Sequence, residues 1–201
     1  MTPNALVDRA APAQLEDRIV EAMLECIGRW GITKTTADDI ARSAGVSRAT
    51  LYRVFPGGKD VAFDALLRHE TARFFEVVTE PLARAASLED LLVLGLVEAA
   101  RFVRDHEALQ YLLTHEPERV LPTYEVPRLD RAFAIATAFT APHLRRFLPD
   151  DASSAAGADW VVRQFFSYVL VPTPALVLTD EAAVRPFVRT YLLPALTPQE
   201  S

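Results

Sequence analysis

The stretch from Thr36 to Asp60 constrains the fold most, because its signals predict two short helices joined by a tight turn. Thr36 and Asp39 have the spacing of a capping box, which predicts that a helix begins at Ala37. Gly45 follows the apolar residues of this helix and is expected to end it at a sharp turn. Those apolar residues are Ile40, Ala41 and Ala44.

The second helix has equally clear boundaries. Ser47 has a side chain of the kind that caps helices, so we expect a helix from Arg48 to Val54 or Phe55. Pro56 ends it, because proline cannot continue the hydrogen-bond ladder, and the pair Gly57-Gly58 favours a turn. Two short helices joined by a Gly-containing turn form the unit that lays its second helix in a DNA major groove.

Polar side chains are crowded on this second helix, at Arg48, Thr50, Tyr52 and Arg53. Four basic residues and no acidic residue lie between Ile40 and Lys59, although the chain has a formal net charge of −6. Such a local reversal of charge suits a phosphate backbone. The acidic excess falls in residues 61–201, whose partner is therefore not expected to be nucleic acid. The pattern favours DNA binding, although an αα-corner that only packs fits the same spacing.

A known family carries the same motif. Residues 35–59 read T-T-A-D-D-I-A-R-S-A-G-V-S-R-A-T-L-Y-R-V-F-P-G-G-K. In order, in spacing and in the final F-P-x-K loop, this run resembles the N-terminal domain of the TetR family of bacterial transcriptional regulators. The resemblance extends from Leu15 to Leu67 and implies a DNA-binding regulator, by default a repressor. One departure is the pair Gly57-Gly58, where many members have a single residue before the lysine.

Seven residues are candidates for contacts with operator DNA. The hypothesis is that a dimer places two helices, each spanning residues 48–55, in successive major grooves of a near-palindromic operator. Candidates for base edges or nearby phosphates are Arg48, Thr50 and Arg53. Candidates for holding the DNA backbone are Thr36, Ser47, Tyr52 and Lys59.

The rest of the pattern predicts an all-α chain of two domains joined by a shared helix. Residues 1–11 lack periodicity and read as a disordered arm. An amphipathic helix over residues 12–30, ended by Gly31, completes a DNA-binding domain at residues 12–60. Lys59 and Asp60 open a fourth helix that continues to about Thr79, with its end marked by Pro81. The resemblance implies that this helix leads into an effector-binding and dimerisation domain at residues 61–201.

Helical spacing continues through that second domain without strand-like alternation. Ser87 is expected to cap a helix over residues 88–104, and a short helix over 106–114 follows. Pro117 and Pro122 break the chain. Further helices are expected over residues 127–147 and 155–171, and from Asp180 or Pro186 to Leu193.

The helix predicted over residues 155–171 is apolar nearly all round, which the surface of a monomer would not tolerate. One short recognition helix also reads too few bases for useful specificity, so a homodimer is expected. The resemblance implies that the last two long helices of each subunit form a four-helix bundle. The open alternative is that these aromatic residues are internal core. Candidate interface residues are Phe166, Val169, Leu170, Phe187 and Tyr191.

A small-molecule effector is the other expected partner, because a pocket in a helical bundle needs aromatic walls and a few polar groups. The apolar excess favours a hydrophobic or aromatic effector. Each candidate taken singly also fits a core position, and a constitutive DNA binder without an effector remains an alternative. The candidate pocket residues are Phe102, Tyr111, His115, Phe133, Thr137, Phe139, Trp160 and Phe165.

Other classes of function are disfavoured. His106 and His115 lack a third ligand nearby, so neither a metal nor a cofactor is expected. Without a phosphate loop, nucleophile elbow or zinc signature, an enzyme is disfavoured, and a small-molecule carrier that does not bind DNA is the weaker alternative. Acidic pairs such as Asp38-Asp39 lie at predicted helix starts, where capping explains them. The single cysteine, Cys26, excludes an internal disulfide. With no signal peptide or membrane span evident, we expect a cytoplasmic protein without a membrane partner.

Overall fold

The computed structural model describes the backbone of residues 4–120 and 126–197 and the side chains of residues 13–118 and 130–197. Within these ranges every extended regular element is helical, which confirms the predicted all-α class. In chain order the elements are α1 (Asn4–Lys34), α2 (Ala37–Ser43), α3 (Arg48–Val54), α4 (Lys59–Arg84), α5 (Leu88–Asp105), α6 (Glu107–His115), α7 (Pro117–Val120), α8 (Val126–Leu144), α9 (Asp151–Leu170), α10 (Glu181–Phe187), a π-helical turn (Val188–Leu192) and α11 (Leu193–Leu196).

Helix α1 is longer than the sequence predicts. It begins at Asn4, so residues 4–11 are helical where a disordered arm is predicted, and residues 1–3 lie outside the described residues. Alanine and leucine in this stretch favour a helix even without apolar periodicity. Gly31 has φ 81° and ψ 171°, which interrupts the helix at the residue predicted to end it.

The helix–turn–helix forms as predicted. The Thr36 hydroxyl accepts a hydrogen bond from the Asp39 N–H, and the Asp39 carboxylate accepts one from the Thr36 N–H, which completes the capping box of α2. Gly45 follows with φ 65°. Ser47 Oγ accepts a hydrogen bond of 3.0 Å from the Thr50 N–H at the start of α3. Local capping chemistry therefore determines both helix starts.

Helix α4 continues past its predicted end at Pro81 and reaches Arg84. A proline so near the end of a helix removes only one bond of the ladder. Leu82 and Ala85, which follow Pro81 in the sequence, are buried in the core. Burial of these two side chains favours continuation of the helix.

One later helix start differs from the prediction, and another agrees with the first of its two predicted alternatives. Helix α9 begins at Asp151 rather than at residue 155, because Asp150 caps it by accepting a hydrogen bond of 2.7 Å from the Ser153 N–H. Helix α10 begins at Glu181 with Asp180 as its cap. The alternative start at Pro186 is wrong, because that residue lies inside α10. In addition, α8 ends at Leu144, before the predicted end at residue 147.

The chain divides into two compact units. The first contains α1, α2, α3, the part of α4 up to Arg73, and the segment with α6 and α7. Helix α1 contacts both α2 and α6 within this unit. The core of the unit includes Ile19, Met23, Ile27, Ile40, Leu51, Leu66 and Leu112.

The second unit contains the rest of α4 from Phe74, α5, and α8 to α11. Helices α8 and α9 pack along each other. The core of this unit includes Leu91, Val93, Val97, Leu144, Ala158, Val184, Val188 and Leu192. The domain boundaries predicted from the sequence stay a prediction, because compactness alone does not establish independent folding or function.

Candidate nucleic-acid interface

Helix α3 buries one side and exposes the other. Leu51 is completely buried and Phe55, which caps the helix, is nearly so. Arg48, Tyr52 and Arg53 are exposed, and Thr50 is partly exposed. This division follows from the helical period, which places residues 51 and 55 on one face. The outer face of α3 is therefore polar, basic and accessible.

Two of the predicted DNA contacts, Thr36 and Ser47, also cap helices, and a third, Thr50, hydrogen-bonds to one of these caps. The Ser47 and Thr50 hydroxyls lie 2.9 Å apart at the start of α3. The Thr36 hydroxyl donates to the Asp39 carboxylate at the start of α2. Capping therefore determines where these hydroxyls lie, and their contact with DNA stays a prediction.

Two neighbours orient Arg48. Its Nη1 donates hydrogen bonds of 3.2 and 3.0 Å to the two carboxylate oxygens of Asp38, in the first turn of α2. The guanidinium also lies 5.5 Å from the centre of the Tyr52 ring. A hydrogen bond with Tyr52 and the negative charge of Asp38 raise the pKa of Arg48 above its ordinary value. The sequence indicates only a helix-start charge at Asp38 and does not show this pairing.

Arg53 differs from Arg48 in its surroundings. Among the side chains that the structure describes, none forms a hydrogen bond or ion pair with it. It lies in the last turn of α3. An exposed guanidinium without an internal partner keeps all five of its N–H donors for a ligand.

The loop after α3 allows a close approach between backbone and ring. Gly57 has φ 123° and Gly58 has φ 69°, and residues other than glycine rarely adopt such positive φ values. A Cβ atom on Gly58 would lie 2.8 Å from Cε1 of Tyr52, so the ring lies directly against this glycine. Tyr52 nevertheless keeps 41% of its surface exposed. The absence of a side chain at Gly58 therefore leaves room for the Tyr52 ring at the end of the polar face of α3.

Lys59 makes hydrogen bonds within its own unit. Its Nζ donates to the carbonyl oxygens of Ile32 and Thr35, at 3.0 Å each. These bonds join the start of α4 to the end of α1 and to Thr35, which lies between α1 and α2. An ammonium has three N–H groups, so one remains for a phosphate. The predicted contact of Lys59 with the DNA backbone stays a prediction.

Glu116 binds the end of α1 by accepting hydrogen bonds from the backbone N–H groups of that helix. Its carboxylate accepts a hydrogen bond of 3.0 Å from the Ile32 N–H and two more from the Thr33 N–H. The Thr35 hydroxyl, which is buried, donates 2.6 Å to the Gly31 carbonyl. Nothing in the sequence pairs Glu116 with residues more than eighty positions earlier, so this role was not predicted.

Comparison with known protein families bears directly on this geometry. Residues 19–66 match the family model described as bacterial regulatory proteins, tetR family. The matched segment holds the core residues of α1, both helices of the helix–turn–helix and the beginning of α4. The chain belongs to the TetR family. It is a DNA-binding transcriptional regulator of the helix–turn–helix type.

Curated relatives agree with this assignment. The TetR-family chain is 29% identical over 183 residues to an uncharacterised HTH-type transcriptional regulator of Mycobacterium tuberculosis strain H37Rv, which covers 90% of this chain and 85% of the relative. It is 32% identical over 106 residues to another such regulator, from Mycobacterium bovis, which covers 53% of each chain.

Solved structures share the fold of this TetR-family chain. The TetR family repressor AlkX from Dietzia sp. superposes with a TM-score of 0.63 at 19% identity, covering 90% of this chain and 97% of that one. The regulator FadR from Bacillus subtilis, solved in complex with stearoyl-CoA, has a TM-score of 0.54 at 16% identity, covering 86% and 97%. At these identities the likeness shows the fold alone.

The eight residues predicted to line a pocket divide between the two units of the TetR-family chain. Tyr111 and His115 belong to the first unit, where their rings stack with centres 4.3 Å apart. In the second unit Phe139 stacks on Phe75 at 4.1 Å. Whether these residues bind a ligand stays a prediction. The six in the second unit are Phe102, Phe133, Thr137, Phe139, Trp160 and Phe165.

Thr137 has an unusual hydroxyl. Its Oγ1 is buried and finds no hydrogen-bond partner among the residues that the structure describes. Leaving such a group unpaired costs about 1–3 kcal/mol. Other threonines in the helices donate to the carbonyl four residues earlier: Thr71, Thr79, Thr114 and Thr140. A bound molecule could satisfy the Thr137 hydroxyl.

The residues predicted at a dimer interface are only partly covered. Phe166, Val169, Leu170 and Phe187 are partly exposed, and Tyr191 is 63% exposed. Val171, directly after α9, is 74% exposed and Val177 is 52% exposed. The end of α9 and the residues that follow it therefore present apolar side chains to solvent.

The described part of the chain contains neither a candidate metal site nor a candidate membrane-spanning helix. Among the side chains of residues 13–118 and 130–197, no three histidine, cysteine or acidic residues are grouped so that they could hold a metal ion. No helix within the described part of the chain combines the length and the apolar character needed to cross a bilayer.

Proposed function

We propose that this regulator is a dimeric repressor that binds a near-palindromic operator and leaves it when a small hydrophobic effector binds. It acts by binding alone and catalyses no reaction. The observation that carries the proposal is the outer face of α3, where Arg48, Tyr52 and Arg53 are exposed above the buried Leu51. Arginine forks match both guanine edges and phosphates.

The proposed contacts divide into two kinds. Base edges or nearby phosphates are read by Arg48, Thr50 and Arg53. The DNA backbone is held by Thr36, Ser47, Tyr52 and the remaining N–H of Lys59. In a dimer the two α3 helices enter successive major grooves, whose centres are about 34 Å apart.

Exposed apolar surface supports the dimer. Tyr191, Val171 and Val177 present more than half of their surfaces to solvent, and Phe166 and Phe187 are partly exposed. Contacts between apolar faces exclude water and favour association. Sedimentation equilibrium measures the oligomeric state directly. We expect a dimer for the parent and dissociation for Tyr191→Arg, while a monomeric parent would overturn this part of the proposal.

An apolar second unit supports a hydrophobic effector. Phe139 and Phe75 stack there, and the Thr137 hydroxyl is a buried polar group without a partner in the described chain. Aromatic walls with few polar groups suit lipophilic molecules. Two proteins of the same fold carry names that mention n-alkanes and stearoyl-CoA, which guides the choice of compounds to screen.

DNA contacts are tested by selecting duplexes from genomic fragments and measuring their affinity by fluorescence anisotropy. Arg53→Ala is expected to weaken binding and to reduce the slope of log affinity against log salt by about 1, because a phosphate contact is lost. Arg29→Ala removes the same charge from the exposed side of α1 and is the matched control. If the double variant Arg48→Ala, Tyr52→Ala bound like the parent, the assignment of the reading face would be wrong.

The effector is tested with the selected duplex and a set of lipophilic compounds. We expect at least one compound to raise the melting temperature and to weaken DNA binding, because a ligand stabilises the state that it binds. If none of them changed the melting temperature or the DNA affinity, the regulator would be the constitutive DNA binder instead.

A further inference from the structure

Asp38 and Arg48 pair across the two helices of the helix–turn–helix. Asp38 lies in the first turn of α2, and Arg48 is the first residue of α3. Both hydrogen bonds, at 3.2 and 3.0 Å, leave from Nη1 of the arginine. Asp38 therefore does not use the Nε–Nη2 edge of the guanidinium. The Arg48 guanidinium also lies over the Tyr52 ring, with its central carbon 5.5 Å from the ring centre.

Capping does not account for Asp38. Thr36 and Asp39 already form the capping box of α2, so the helix start does not need a second carboxylate. Stability does not account for it either. The two side chains are 61% and 53% exposed, and ion pairs at such positions contribute little to the free energy of unfolding.

The cost of Asp38 for DNA binding is clear. It places a negative charge beside the helix that is proposed to meet DNA, where phosphates repel it. A carboxylate in this position lowers the affinity for DNA of any sequence. The hydrogen bonds of Asp38 to Arg48 offer a compensating gain.

We propose that Asp38 is a specificity-determining residue, which fixes the Arg48 guanidinium so that its Nε–Nη2 edge reads one base pair. The inference rests on the proposed role of Arg48 in reading a base edge. An unrestrained arginine has about 2 kcal/mol of rotamer entropy and can turn to a phosphate or to another base. A fixed edge instead favours the bidentate contact with guanine, the commonest specific contact of arginine.

The two effects of Asp38 have opposite signs, which makes the inference testable. Removing the carboxylate should strengthen binding to DNA of mixed sequence, because the repulsion disappears. The same change should weaken discrimination at the base pair that Arg48 reads, because the guanidinium is no longer held. A purely structural role would change neither quantity in this opposed way.

The experiment uses the full chain and the duplex of highest affinity selected from a random library, with variants in which each base pair is replaced singly. Dissociation constants are measured for these duplexes and for a mixed-sequence duplex, at two salt concentrations. For Asp38→Ala we expect discrimination to fall about tenfold at one base pair, within the range of a single bidentate contact. Affinity for the mixed-sequence duplex should rise.

Three further variants complete the design. Arg48→Ala should abolish discrimination at the same base pair. Asp38→Asn keeps one acceptor oxygen without the charge, so it should raise mixed-sequence affinity while retaining part of the discrimination. Glu21→Ala removes the same charge from an exposed position on α1 and is the control. Thermal unfolding of each variant establishes that it is folded.

Each outcome decides between the two proposals. If Arg48→Ala removed discrimination while both Asp38 variants kept it in full, the inference would fail and the proposed role of Arg48 would stand. A uniform gain in affinity, with discrimination unchanged, would also overturn it, because Asp38 would then act through charge alone. If Arg48→Ala itself kept full discrimination, the proposed role of Arg48 would be the part that fails.

Discussion

The carboxylate of Glu116, directly after α6, accepts a hydrogen bond of 3.0 Å from the backbone N–H of Ile32, at the end of α1. The Lys59 ammonium bonds the carbonyl of the same residue. The backbone N–H of Ile32 therefore binds a negative group, the Glu116 carboxylate, and its carbonyl oxygen binds a positive group, the Lys59 ammonium. Both groups lie outside α1 and α2, and they hold the end of α1 just before the cap of α2.

Replacing Glu116 by alanine should destabilise the first unit. Hydrogen bonds to a charged group contribute about 1.5–3 kcal/mol when buried, and partial exposure of Glu116 places the expected loss of unfolding free energy at about 1–2 kcal/mol. Urea denaturation measures it. Glu118→Ala, at an exposed position two residues later, is the control and should change little. Equal effects of both changes would show that the hydrogen bonds of Glu116 contribute nothing.

Replacing Gly31 by alanine should be more damaging. A Cβ atom there would lie 2.2 Å from Oε1 of Glu116, and the residue has φ 81°. This combination of φ and ψ, which essentially only glycine adopts, costs an alanine about 1–3 kcal/mol, and the collision with the carboxylate adds to this. Gly28→Ala provides the contrast, because its nearest contacts are at 3.8 Å within regular helix. That change should stabilise by about 0.5–1 kcal/mol. Thermal and urea unfolding should therefore shift in opposite directions for the two variants.

Replacing Gly58 by alanine should weaken binding to operator DNA by displacing Tyr52. A Cβ atom at this position would lie 2.8 Å from the ring. Gly45→Ala is a matched control, because its φ of 65° is close to the 69° of Gly58 while nothing lies within 4 Å of its Cβ position. Both variants should lose similar stability from backbone strain. Anisotropy titrations should show a larger loss of DNA affinity for Gly58→Ala, and equal losses would contradict the seating of Tyr52 by Gly58.

Acid should destabilise the first unit through Glu70. His106 Nε2 donates a hydrogen bond of 2.8 Å to the Glu70 carboxylate. Burial raises the pKa of the Glu70 carboxyl, but the bond and charge of His106, with Arg73 and His69, lower the pKa by more. The folded-state pKa therefore lies below the ordinary 4.5.

A carboxyl group whose pKa is lowered by folding stabilises the fold at pH values above its ordinary pKa. This stability is lost as the pH falls through the folded-state pKa. We expect Glu70→Gln to reduce the fall in melting temperature between about pH 5 and pH 3, because the group that titrates is absent. Glu76→Gln, at an exposed position on the same helix, should leave the fall unchanged. A parent and a Glu70→Gln variant with identical pH profiles would contradict this prediction.

The helix–turn–helix could be predicted from the sequence because its determinants are local. Thr36 with Asp39, and Ser47 with Thr50, are each three residues apart, and both caps form as expected. Gly45 adopts the left-handed backbone that its position after α2 requires. Such signals depend on neighbours along the chain and on nothing else.

Contacts between distant residues could not be predicted in the same way. No local pattern links Glu116 to Ile32, so the sequence does not reveal the hydrogen bond between them. The predicted pocket includes Tyr111 and Phe139, which belong to different compact units, and it stays a prediction. The end of α4 was missed because Pro81 is a strong local signal against helix, whereas the burial of Leu82 that favours it depends on tertiary packing.

The position of Lys59 makes it a chemical reporter. Lysine occurs only at positions 34 and 59, and Lys34 is exposed while Lys59 is bonded to two carbonyls. An amine held in this way must leave both bonds before it can react with an acylating reagent. The rate of acylation at Lys59, divided by that at Lys34 in the same sample, therefore measures how often the start of α4 separates from the segment before α2. Mass spectrometry can read this ratio with and without DNA, from the unlabelled natural sequence.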